Sequence, residues 1–247
     1  MGYILECCVD SVESAIAAKK GGADRIELCS ALVIGGLSPS QALYQKIREQ
    51  VDIQIRVLLR PRFGDFCYTD FEHEILKEEI RSFRKLGADG IVIGTMKPDG
   101  TLNLEQMKEL MEEAQGMPVT LHRAFDMCKD PFVTLEEAKK LGISTILTSG
   151  QKNTCVDGVE LLKELVEKAQ GETEILIGGG VDASVLPMLS EKTKAKAYHM
   201  SGKISMESEM RYRKQDVSMG VASVSEYEIW RTSEKRVREA RKVLDHL

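Results

Sequence analysis

Short apolar runs alternate along the chain with longer stretches in which apolar residues recur every three or four positions. The first pattern suits buried strands and the second amphipathic helices. Strands are predicted at 4–9, 25–29, 54–60, 90–96, 119–125, 145–149, 174–178 and 197–201. A recurrent junction precedes three of them: Gly22-Ala23-Asp24-Arg25-Ile26-Glu27, Gly87-Ala88-Asp89-Gly90-Ile91-Val92 and Gly142-Ile143-Ser144-Thr145-Ile146-Leu147. Glycine there accepts the left-handed conformation that ends a helix before the next apolar run. Helix starts are marked at Ser38-Pro39-Ser40-Gln41, Thr69-Asp70-Phe71-Glu72 and Thr134-Leu135-Glu136-Glu137, each with a cap oxygen three residues before Glu or Gln. Asp130-Pro131 adds a cap followed by proline at the first helical position. The last helix, 233–247, carries Val237, Ala240 and Leu244 on one stripe. Eight strands alternating with eight helices predict an α/β fold, a (β/α)8 TIM barrel forming a single domain over 1–247, with a doubly wound sheet as the lesser alternative.

Composition narrows the function classes. A 43% hydrophobic content with ordinary glycine and proline usage excludes a disordered or fibrous chain. The net charge of -5, without basic clusters, argues against nucleic acid and membrane surfaces as partners. No apolar run approaches the roughly 18 residues of a spanning helix. With no basic leader in residues 1–30, the expected location is cytoplasmic. Cys7, Cys8, Cys29, Cys67, Cys128 and Cys155 form no CxxC spacing and are expected as free thiols.

Active sites of such barrels sit at the carboxyl ends of the strands. In the first strand Leu5, Cys7 and Val9 form the apolar parity, leaving Glu6, Cys8 and Asp10 to face inward; in the second, Ile26 and Leu28 leave Glu27 and Cys29. Both strands read Glu-x-Cys, so the pairs Glu6/Glu27 and Cys8/Cys29 are expected inside the barrel on neighbouring strands, offset by a residue or so. Two thiols suit one soft ion, and Cu(I) is the natural candidate. Free cysteine also behaves as a small core hydrophobe. Buried glutamate demands a cation, a metal or a raised pKa, and Arg60 is one available cation.

Arg60 and Arg62 in Arg60-Pro61-Arg62-Phe63-Gly64-Asp65-Phe66 bring two guanidinium groups to the barrel mouth, where they suit a carboxylate or phosphate. Arg60 as a structural ion pair with Glu6 or Glu27 is the plainer alternative. His122, inward-facing with Thr120, is the best single acid/base or metal-ligand candidate. Gly178, Gly179 and Gly180 after the seventh strand, and Ser201 after the eighth, stand where many barrels hold phosphate. A long segment at 204–225, with Met206, Met210 and Met219, is read as a possible lid.

The motifs Glu6-Cys7-Cys8-Val9-Asp10-Ser11, Gly22 to Ser30, Arg60 to Phe66 and His122-Arg123-Ala124-Phe125-Asp126 resemble the CutC family. The resemblance continues through Leu147-Thr148-Ser149-Gly150, Gly178-Gly179-Gly180 and Met219-Gly220. It implies a cytoplasmic (β/α)8 barrel of copper homeostasis, a homo-oligomer, with Cu(I) at Cys8 and Cys29. Phe63 stands where the family has glycine and is expected to narrow the mouth beside Arg62, and Cys7 is an extra thiol beside the family position. Two functions follow. The first is a copper-binding or trafficking protein with Cys8 and Cys29 as ligands. The second is an enzyme acting on a small anionic ligand, a phosphate or carboxylate metabolite, with Arg60 and Arg62 gripping the anion and His122 with Glu6 or Glu27 exchanging protons. A structural or interaction module would require the buried charges to be internal ion pairs.

Overall fold

Period-two alternation in the strands sorts the barrel into an inner charged column and an outer apolar layer. The structure, a computed structural model, describes residues 2–217, 219, 221 and 224–247. The strands are β1 (Ile4–Val9), β2 (Arg25–Leu28), β3 (Gln54–Leu58), β4 (Gly90–Ile93), β5 (Val119–Leu121), β6 (Thr145–Thr148), β7 (Glu174–Ile177) and β8 (Ala197–Met200). The helices are α1 (Val12–Gly21), α2 (Gln41–Gln50), α3 (Asp70–Lys85), α4 (Leu104–Ala114), α5 (Pro131–Leu141), α6 (Val159–Ala169), α7 (Leu186–Thr193) and α8 (Glu234–Asp245). Among the described residues β1 to β8 close in chain order into a parallel barrel, with β1 paired to both β2 and β8.

Leu5, Cys7 and Val9 of β1 join Ile26 and Leu28 of β2 in the apolar layer between barrel and helices. Burying a Leu or Ile side chain there contributes about 1.5–3 kcal/mol. Gly22, Gly87 and Gly142 take φ of 94°, 79° and 75°, the left-handed helix exits that their recurrence predicts. The ring of helices closes where α8 crosses α1: a Cβ on Gly21 would stand 2.6 Å from Val237 Cβ, so glycine permits that approach.

The marked helix starts are borne out in part. Thr69 and Glu72 do form the capping box of α3. Ser40, not Ser38, caps α2; Asp130 caps α5 as expected, through the Phe132 and Val133 amides, and Thr134 is buried inside that helix and caps nothing. Proline at the first helical turn lets Asp130 take that role. Most strands stop short of their apolar runs, because the last residues turn out of the ladder to build the mouth. After β5, for example, His122 caps a 3-10 turn over Arg123–Met127.

The 204–225 segment is partly ordered as a strand. β9 (Lys203–Glu207) pairs antiparallel with β10 (Glu228–Thr232), making a two-stranded arm before α8. Met206, Met210 and Met219 are exposed, and Gly220 lies outside the described residues. No helix among the described residues is long and apolar enough to cross a membrane.

Candidate functional site

The ladder sets Glu6 opposite Arg25 and Cys8 opposite Glu27, while on the other side Glu6 faces His199 of β8. The pairs Glu6/Glu27 and Cys8/Cys29, expected offset by a residue or so, are instead offset by two residues, as strand tilt in a closed barrel allows. The slip brings Cys8 Sγ, a Glu27 carboxylate oxygen and a His199 ring nitrogen together, all within 4.8 Å of one another and all three residues buried.

Beneath this cluster lies a charged plug. Glu6 Oε1 accepts from His199 Nδ1 at 2.7 Å, and Glu6 Oε2 accepts from Arg25 Nε at 2.5 Å. Arg25 Nη2 also donates to Glu174 at 2.8 Å, and Arg56 Nη1 donates to Thr120 and Thr145. The Glu6 counterion is thus Arg25 rather than Arg60. Arg25 shares the inward parity of Glu27, so alternation alone could have found it; His199 shares that of Ala197 and Ser201 and was equally legible.

Burial opposes charge on each of these groups. At Glu6 it is outweighed by the hydrogen bond from His199 and the Arg25 guanidinium, which hold the carboxyl well below its usual range. At Glu27 burial prevails over the attraction of His199, and with Glu6 nearby its pKa is pushed up to about 7. At His199 burial is overcome by Cys8, Glu6 and Glu27, which favour the imidazolium.

The cluster forms one wall of a cavity of about 280 Å³ at the barrel mouth, lined also by Arg60, Phe66, His122, Arg123, Gly179, Gly180 and Ser201. Cys29 is outside the cluster. Its thiol donates to the Val9 carbonyl at 3.4 Å and packs with Leu58 and Val92, where burial pushes its pKa up. Cys7 faces the helices. Arg62 is turned away from the cavity, with its guanidinium on Glu72, Asp65 and the Cys67 carbonyl. Gly178 does not line the cavity; a Cβ there would stand 2.7 Å from Leu147 Cδ1 and 3.5 Å from His199 Cβ. No described residue of 204–225 lines the cavity, so the lid reading gains no support.

His122 is 4% exposed, and burial together with the Arg60 charge lowers its pKa to about 3. It stands as a neutral ring at physiological pH.

Comparison with known proteins decides the family: the CutC family model matches residues 3–204. This chain belongs to the CutC family. The human "copper homeostasis protein cutC homolog" is 42% identical over 238 residues, covering 96% of this chain and 87% of the human protein. The crystal structure of CutC from Streptococcus agalactiae superposes with a TM-score of 0.76 at 30% identity, over 81% of this chain and 98% of that one. Phosphoribosylanthranilate isomerase from Thermotoga maritima shares the barrel fold alone, at 11% identity and a TM-score of 0.59, over 99% of this chain and 100% of that one. Phe63, at the position where other CutC sequences are expected to carry glycine, is 65% exposed and does not line the cavity, so it does not narrow the mouth.

Proposed function

We propose that this CutC-family protein binds copper as Cu(I), as cargo, at the inner mouth of the barrel, with Cys8 Sγ and His199 Nε2 as ligands. The observation that carries this reading is the convergence of Cys8, Glu27 and His199 donor atoms within 4.8 Å. The donor set fits: a thiolate and an imidazole suit copper, and the Glu6 carboxylate takes His199 Nδ1 in the way that outer-shell carboxylates orient metal-binding histidines. Glu27, a hard oxygen donor, suits Cu(I) less and serves better as a neighbouring charge. Cys29, two residues beyond Glu27 on the same face of its strand, is a reserve thiol that joins only by leaving the Val9 carbonyl. All six cysteines are free, which fits work in the reducing cytoplasm. Homo-oligomerisation follows from the resemblance, and sedimentation of the purified chain tests it.

The experiment is anaerobic Cu(I) titration against a competing chelator. Binding of one equivalent should weaken in Cys8→Ser and in His199→Gln by more than the roughly 10–100-fold that loss of an outer-shell partner costs. Affinity unchanged in both variants would return the cluster to a structural role. The enzymatic alternative retains Arg60 and Glu27, whose pKa is pushed up to about 7, in the cavity lining, while Arg62 is held by Glu72 and Asp65.

A further inference from the structure

Among the described residues, Arg60 is a buried cation without a counterion. It is 8% exposed, and its hydrogen bonds run to two backbone carbonyls, from Nη1 to Gly36 at 3.3 Å and from Nη2 to Gly64 at 2.6 Å. Its Nε is buried with no partner among the described residues. Burying an unpaired charge is costly, and an unsatisfied charged donor adds to that cost.

His122 presents the same feature across one aromatic ring. Its Nδ1 accepts from the Ala124 amide at 3.1 Å, so that nitrogen carries no proton and the neutral ring must bear its hydrogen on Nε2. Nε2 is likewise buried and unpartnered among the described residues. Phe66 packs against both groups: the Arg60 guanidinium carbon lies 4.9 Å from its ring centroid, and the His122 ring centroid lies 4.8 Å away. All three residues line the 280 Å³ cavity, as does Arg123. Phe66 is thus the one ring in contact with both groups at the cavity wall.

We propose that the cavity binds a small oxyanion, a carboxylate or a phosphate, whose oxygens accept from Arg60 Nε and His122 Nε2 after the Phe66 side chain swings aside. An anion meets both deficits at once, as counterion to Arg60 and as acceptor for two donors that no described residue satisfies. His122 serves as a fixed neutral donor in this site, not as a general base. The oxyanion site shares this cavity with the Cys8 and His199 cluster but uses different side chains, and it does not rest on the copper reading.

The test uses full-length, copper-free protein with inorganic phosphate and oxalate as probes, followed by calorimetry and by the His122 side-chain resonances in ¹H–¹⁵N NMR. At least one probe should bind and shift the Nε2–H signal. Binding should weaken roughly tenfold or more in Arg60→Lys, which keeps the charge but loses the Nε donor, and in His122→Leu. Binding should persist in Cys8→Ser, which separates this site from the metal site; phosphate and oxalate compared directly identify the preferred oxyanion. The proposal is overturned if neither probe binds the wild type at millimolar concentration, if the Nε2–H signal is indifferent to a bound probe, or if Arg60→Lys binds as well as wild type. The NMR observation on the wild type does not depend on any variant folding.

Discussion

Glu6 and His199 lie 2.7 Å apart across the β1–β8 seam, with the carboxylate accepting from Nδ1 of the imidazole. The other oxygen of the same carboxylate is held by Arg25, so a fully buried ion pair determines how the histidine is turned. With Nδ1 engaged, the remaining nitrogen, Nε2, faces Glu27 at 3.8 Å. The chemistry at the mouth therefore depends on a residue one layer below it.

Removing that support should cost stability and metal affinity together. Glu6→Gln leaves Arg25 and His199 without their shared charge, and breaking a buried pair in this way costs about 3–5 kcal/mol. Urea unfolding should show a loss of that order, and Cu(I) affinity should fall roughly 10–100-fold, as for other outer-shell partners. Unchanged copper affinity in a folded Glu6→Gln protein would show that the histidine orientation is irrelevant to the metal.

The two inward thiols should behave unequally. Cys8 belongs to the cluster, whereas Cys29 is hydrogen-bonded to Val9 and packed with Leu58 and Val92. In chelator competition Cys8→Ser should lose far more affinity than Cys29→Ser. Equal losses would mean that copper draws Cys29 out of its pocket and makes a two-thiol site.

His122 should leave a signature in acid. Its folded pKa of about 3 lies below the unfolded value, so between those two values the unfolded state binds the extra proton and stability falls as pH falls. From pH 7 to pH 5 this group alone should remove about 2 kcal/mol. Urea unfolding of wild type and His122→Gln at both pH values isolates the contribution, because the carboxylates common to the two proteins cancel. Parallel pH profiles would mean that His122 titrates normally.

Gly94 should be intolerant of a side chain for a reason specific to His122. A Cβ there would lie 2.7 Å from His122 Cε1, 2.8 Å from Nδ1 and 2.9 Å from Leu121 Cδ1. Gly94→Ala should destabilise by about 1–3 kcal/mol, as overpacking does, and should weaken oxyanion binding while sparing Cu(I) affinity. Thermal melts and the two titrations read this directly; oxyanion binding that survives in full would show that the ring position is not critical.

Much of the molecule was legible in local sequence. Thr69 and Glu72 announced a capping box, and Gly22, Gly87 and Gly142 announced helix exits, because those signals act within a few residues of the chain. Alternation in β1 and β2 put Glu6, Cys8 and Glu27 inside. The same rule pointed to Arg25 and His199, which are easily passed over because neither belongs to the repeated Glu-x-Cys pattern. Arg62 lies in the same motif as Arg60, yet its orientation was not legible: Asp65 and Glu72, close by in the chain, draw it away from the mouth.

Sequence by itself determined the α/β barrel, the inward faces of β1, β2 and β5 and the family to which the chain belongs. Tertiary structure alone decided which inward groups meet. Sliding one strand past another by two residues leaves every side chain on its own face, so periodicity cannot tell a Cys8/Cys29 pairing from a Cys8/Glu27 pairing. Barrel closure selected the latter through strand tilt, and with it the Cys8, Glu27 and His199 cluster. Closure also set β8 beside β1, bringing His199 to Glu6 from 193 residues away, a contact that no local pattern encodes.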